Sequence, residues 1–148
     1  MNKGRQPCWL AVAALILAGA VLAAAPCLAA GKVVEGNKGA EGEEVNVKKL
    51  LIRGQYTLVD FWSPYCGPCL QIAPILEKLA DKRGNLVIVK LNINRPDVKG
   101  IDWKSPLAQQ YNIRSVPYMA IYDPDGKLLA KGPEAMQMLA QWAKEAGM

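Results

Sequence analysis

Tyr56-Thr57-Leu58-Val59-Asp60-Phe61-Trp62-Ser63-Pro64-Tyr65-Cys66-Gly67-Pro68-Cys69 is the stretch on which the fold turns. Its first seven residues are β-branched, aromatic or apolar with one exception, the composition of a strand buried on both faces. The exception is Asp60. Ser63-Pro64-Tyr65 then reads as a turn, and Leu70, Ile72, Ala73, Leu76, Leu79 and Ala80 mark one helical face as far as about Gly84. Cys66 and Cys69 therefore fall where a central strand gives way to a helix.

Further along, residues 86–93 form a second apolar strand, residues 94–104 a polar loop with Pro96 and Gly100, and residues 105–111 a short helix. Residues 118–122 and 127–130 flank the turn Asp123-Pro124-Asp125-Gly126 and read as a hairpin. Pro133 suits the first turn of a last helix over 133–146. Upstream, Val47, Leu50 and Leu51 recur at helical spacing behind Asn46, and Gly54 ends this short first helix. No internal repeat is visible. The order of elements mixes βαβ crossovers with a terminal hairpin. It predicts an α/β domain over residues 45–148, a central mixed sheet with helices on both faces.

Residues 31–44, rich in Gly, Glu, Lys and Asn and without apolar periodicity, read as a flexible linker. Residues 1–30 carry Lys3 and Arg5, an apolar run from Trp9 to Ala25, and the tail Pro26-Cys27-Leu28-Ala29-Ala30. This is the layout of a signal peptide, with cleavage expected after Ala29 or Ala30. The run approaches the roughly 20 residues that span a bilayer, so an uncleaved anchor is the alternative. Pro26 before Cys27 departs from the Leu-Ala-Gly/Ala-Cys pattern of bacterial lipoproteins, which argues against a lipid anchor. The domain is accordingly expected to be exported, either periplasmic or anchored facing the periplasm.

A chain of 148 residues holds one ordinary domain and a short extension. Its formal charge is +5, and residues 31–148 carry 16 basic against 13 acidic residues, interspersed along the sequence. That balance is too mild to imply a nucleic-acid partner. Of the four cysteines, Cys8 and Cys27 lie in the leader. A disulfide-stapled exported scaffold would spread several cysteines along the domain, whereas Cys66 and Cys69 close only a tiny loop. Structural zinc takes four ligands, and the chain has no histidine and no second Cys-x-x-Cys. The pair reads as redox chemistry rather than as a zinc half-site or an inert staple.

A thiolate, not a thiol, attacks a disulfide. At the start of a helix, unpaired N–H groups and the positive end of the helix dipole stabilise negative charge at Cys66, while Cys69 lies one turn inside and can reach back. Gly67 and Pro68 fit the turn, since an early helical proline gives up no needed hydrogen bond.

The stretch from Val59 to Cys69 resembles the active-site region of the thioredoxin family. Pro74 matches a proline in that family's active-site helix, and Val89-Lys90-Leu91-Asn92-Ile93 resembles its third strand. Ile113-Arg114-Ser115-Val116-Pro117 resembles its cis-proline loop, and Gly132 its late glycine. The resemblance runs from about Val45 to Gly147 and implies the thioredoxin fold. It implies that Cys66 attacks, that Cys69 resolves, and that Asp60 is the buried acid exchanging a proton with Cys69. Lys90 resembles the lysine near that acid, and the pair would offset part of the cost of burying a carboxylate. Trp62, Gly67, Pro68, Val116 and Pro117 resemble the substrate-facing surround of the disulfide, with Pro117 cis. Three departures, Tyr118 after Pro117, the segment Ser63-Pro64-Tyr65, and a longer loop over residues 94–106, bear on partner choice.

The resemblance implies a monomeric thiol–disulfide oxidoreductase that needs no bound cofactor beyond its own disulfide. With Gly-Pro between the cysteines and no histidine to stabilise the thiolate further, the reducing direction is expected. Its substrates would be oxidised proteins and its electrons would come from a membrane thiol–disulfide donor. The alternatives are an oxidase or isomerase of the same fold, and a binding module in which the fold only presents a surface.

Overall fold

The computed structural model describes residues 31–148, so the expected signal peptide or anchor over residues 1–30 lies outside the described residues. The elements are β1 (Lys32–Glu35), β2 (Tyr56–Trp62), α1 (Gly67–Lys82), β3 (Leu86–Asn92), α2 (Pro106–Gln110), β4 (Tyr118–Tyr122), β5 (Leu128–Lys131) and α3 (Pro133–Glu145). They build one five-stranded sheet in the order β1-β3-β2-β4-β5. β1, β3 and β2 run parallel, while β4 is antiparallel to both β2 and β5. This is the expected mixed sheet.

Alternation along β2 sorts its side chains between two cores. Leu58 joins Ile88, Met119 and Ile121 beneath Leu76 and Leu79 of α1 and Leu139 and Trp142 of α3. Val59 and Phe61 point the other way, to Val89, Leu91 and Leu107 of α2. By the same alternation Asp60 faces the α1/α3 side. Gly132, just before α3, has φ +56, where a Cβ would meet the Tyr118 ring at 3.4 Å. Its N–H donates to the Met119 carbonyl (2.8 Å), so the start of α3 is tied to β4.

Two expectations are corrected. Residues 31–44 are not a flexible linker. Lys32–Glu35 forms the edge strand β1, in register with Val87 to Lys90 of β3. Beyond it the Asn37 side chain donates to the Asn92 carbonyl (2.8 Å) and accepts from the Asn92 N–H (3.0 Å). Two apolar residues between charges make too short a run to register as a strand, and β3 supplies the hydrogen bonds that make it one. The folded unit thus starts before residue 45. The first helix is a single 3₁₀ turn, Val47–Lys49, capped by the Asn46 side chain, which accepts from Lys48 N–H (3.1 Å). Only Val47 of that turn is buried, so there is no apolar face long enough to extend it.

Candidate active site

α1 begins at Gly67, with Cys66 as its N-cap in extended conformation (φ −99, ψ 101). The Cys66 Sγ accepts a hydrogen bond from the Cys69 N–H (3.1 Å), so one unpaired amide of the helix start points at this sulfur. Cys66 and Cys69 are joined as a disulfide, their Cα atoms 5.2 Å apart. Pro68 occupies the first turn, where a missing N–H costs nothing. The turn that delivers Cys66 is held from within. Ser63, fully buried, accepts from the Tyr65 N–H through its Oγ (3.1 Å) and from the Cys66 N–H through its carbonyl (3.1 Å). The sequence places Ser63 in a turn without showing this bond, although a serine two residues before an amide in a turn is the signature of such a side-chain bond.

Both cysteines are almost covered, 3% and 2% exposed, while Tyr65, Gly67, Pro68 and Leu70 around them are exposed. The Val116–Pro117 peptide bond is cis. Phe61 is paired with Tyr118 across β2 and β4, so Pro117 lies level with Trp62, at the end of β2 from which the cysteine turn departs. The substrate-facing candidates on β2, on the loop before β4 and on α1 therefore share one end of the sheet.

Asp60 is 1% exposed, and its Oδ1 has no hydrogen-bond partner. Burial pushes its carboxyl up from 3.8 to about 7, against the pull of the Lys90 ammonium and with a further push from Glu35. On α1 the buried positions are Cys69, Leu76, Leu79 and Ala80, so Cys69 lies on the sheet-facing side of the helix, the side Asp60 faces. Lys90 is the β3 neighbour of Asp60 in register. Its ammonium, however, pairs with Glu35 Oε1 at 3.2 Å and sits 4.4 Å from the centroid of the Trp62 ring. The lysine expected to partner Asp60 is thus held by a residue of β1. Glu35 is hidden in the sequence because its segment reads as linker.

The long loop after β3 is strapped shut. Arg95 donates from Nε and Nη2 to the Asp102 carboxylate (2.7 and 3.2 Å), which holds that carboxyl below its usual range. Asn94 donates to the Val98 and Gly100 carbonyls and accepts from the Asp102 N–H. A cleft of about 270 Å³ lined by Pro64, Tyr65, Asn92, Asn94 and Arg95 joins this loop to the cysteine turn. Among the described residues, no group of three or more His, Cys, Asp or Glu is placed to hold a metal ion. What the arrangement can do is thiol–disulfide exchange: a sulfur at a helix start, a second sulfur one turn inside, and a protonatable carboxyl on the same side of the sheet.

Known proteins match this reading. A thioredoxin from Chlorobaculum thiosulfatiphilum is 40% identical over 75 residues, 49% of this chain, and the chain spans 61% of that relative's length. A thioredoxin from Coprinus comatus is 33% identical over 98 residues, covering 63% of this chain and 85% of its own. Among solved structures, the long form of thioredoxin f from spinach chloroplast superposes with TM-score 0.52 at 26% identity, over 80% of this chain and 89% of that one. The short form gives 0.53 at 21% identity over 84% and 100%, a likeness of fold. A sequence profile described as thioredoxin matches residues 41–145. A match of that extent makes the chain a member of the thioredoxin family.

Proposed function

We propose that this protein is a thiol–disulfide oxidoreductase that reduces protein disulfides outside the cytoplasm. The observation that carries the reading is the Cys66–Cys69 disulfide at the start of α1, with the Cys69 N–H directed at the Cys66 sulfur. In the reduced form, the Cys66 thiolate attacks a substrate disulfide, forming a mixed disulfide and expelling one substrate thiolate. The Asp60 carboxylate takes the proton of the Cys69 thiol. Cys69 then attacks Cys66, the mixed disulfide breaks, and the second substrate thiolate leaves. Two electrons pass from the dithiol to the substrate. Trp62, Gly67, Pro68, Val116 and Pro117 line the approach, and no bound cofactor enters any step.

The reducing direction is supported by Gly67-Pro68 between the cysteines and by a chain without histidine. The exported setting is supported by the charge and apolar pattern of residues 1–30. In an oxidising compartment the dithiol must be regenerated, and a membrane thiol–disulfide donor is the partner assigned to that task. The protein would act as a monomer.

Two measurements test this. In cells, Cys69→Ser should hold a substrate protein on Cys66 as a mixed disulfide that a reductant releases, and capture of no protein would overturn exchange chemistry. In glutathione buffers the pair should equilibrate near about −270 mV, the figure for thioredoxin itself, whereas a value near about −120 mV, that of a strong oxidase, would reverse the direction.

A further inference from the structure

Three charged side chains lie at one level across three parallel strands. Glu35 on β1 is in register with Lys90 on β3, and Lys90 is in register with Asp60 on β2. A single ammonium thus stands between two carboxyl groups, with neighbouring strands about 4.8 Å apart. Among the described residues its ion pair is with Glu35, at 3.2 Å, while an Asp60 oxygen is left without any hydrogen-bond partner. The Lys90 side chain is 14% exposed and that of Glu35 45%. The Trp62 ring, 4.4 Å away, provides a further contact for the ammonium in this position.

We propose that Glu35 is a positioning residue which, by holding the Lys90 ammonium toward β1, keeps that cation from neutralising Asp60 and so leaves Asp60 able to bind and release the proton exchanged with Cys69. The inference rests on the redox reading of the cysteine pair.

The competition favours Glu35 for a physical reason. A carboxylate at the exposed edge of the sheet keeps much of its hydration and ionises at little cost, whereas ionising Asp60 means charging a desolvated group. Lys90 gains more from the carboxylate that is already charged. Were Glu35 absent, the same ammonium would have one carboxyl within reach and would stabilise Asp60 as an anion. An anion so stabilised accepts a proton less readily. Among the described residues, the buried positions of the elements packed on Asp60 carry no other charge: its β4 partner is Met119, and the buried positions of α1 and α3 are apolar apart from Cys69, the proton donor itself. Lys90 and Glu35 are the charges that act on Asp60.

The test uses the reduced full chain and titrates Asp60 by carbon-13 NMR of labelled aspartate, its signal identified by its loss in Asp60→Asn. Glu35→Gln, at an exposed edge position, should move the Asp60 midpoint down by about one pH unit, the lower end of what an opposite charge nearby achieves. The acid limb of mixed-disulfide resolution should move down with it. In a Lys90→Gln background, the same Glu35→Gln change should move the midpoint by no more than about a third of that, because Glu35 acts through the lysine. An unchanged or raised midpoint in the single variant overturns the proposal, and so does an equal drop with and without Lys90. Wild-type chain that titrates as expected yet reduces no disulfide would remove the redox reading instead, so the two failures are distinguishable.

Discussion

Unfolding in urea should take less denaturant at pH 8 than at pH 5 in the wild-type protein, and Asp60→Asn should remove most of that difference. The cause is the carboxyl on β2, pushed up from 3.8 to about 7 chiefly by burial. Between those two values the folded chain holds a proton that the unfolded chain has released. Stability therefore declines as pH rises through this window, the contribution being fully present below about 4 and gone above about 7. A displacement of that size corresponds to roughly 4 kcal/mol, a large share of the 5–15 kcal/mol typical of a domain. Asp102, held below its usual range by Arg95, works in the opposite sense, but only as pH falls below the ordinary carboxylate value, outside this window. Equal unfolding midpoints at pH 5 and pH 8 in the wild type would mean that Asp60 is not desolvated as its surroundings indicate. The asparagine variant should also resolve mixed disulfides slowly, since it cannot take the Cys69 proton.

Cys66→Ser should lower disulfide reduction by more than about a thousandfold, the scale of losing the attacking group where a covalent intermediate is required. The fold should barely notice. A disulfide closing so short a loop is worth at most about 2 kcal/mol in chain entropy, and the serine Oγ can accept the Cys69 N–H in place of sulfur. Reduction of insulin followed by turbidity, together with thermal unfolding of the oxidised wild type and of the variant, separates the two effects. A staple would give the reverse result, a clear loss of stability with no activity to lose. A module that merely presents a surface would keep its partner and its phenotype in this variant.

How much of the molecule is legible without coordinates depends on whether a feature has a local cause. Tyr56–Trp62 coincides with the expected strand because β-branched and aromatic residues bounded by a turn allow little else. Cys66 at the head of a helix follows from Pro68 and the apolar spacing after it. The anomaly of Asp60 is visible for the same reason, as one acid in an apolar run. Other features have causes far away in sequence. β1 exists because β3 completes its hydrogen bonds, and its four residues carry no periodic signal of their own. Glu35 and its grip on Lys90 are lost with it. Residues 94–104 read correctly as polar loop, yet their polarity conceals a second fact: Asn94 and Asp102 are buried and spend their side chains on the loop's own backbone and on Arg95. The cis bond at Pro117 cannot be read from its neighbours, since X-Pro bonds favour trans, and family resemblance alone points to it.

The near-complete covering of Cys66 carries a consequence of shape. Sulfur exchanges with sulfur along a line, the incoming atom, the central atom and the departing atom in a row, so a cysteine with 3% of its residue surface exposed admits a visitor from a narrow cone. A disulfide lying flat on a rigid partner cannot enter that cone, whereas one on a projecting or loosened strand of chain can. In the proposed exchange reaction the covered Cys66, with Tyr65, Gly67, Pro68 and Leu70 exposed around it, would thus gauge how far a partner's disulfide stands out from its own fold.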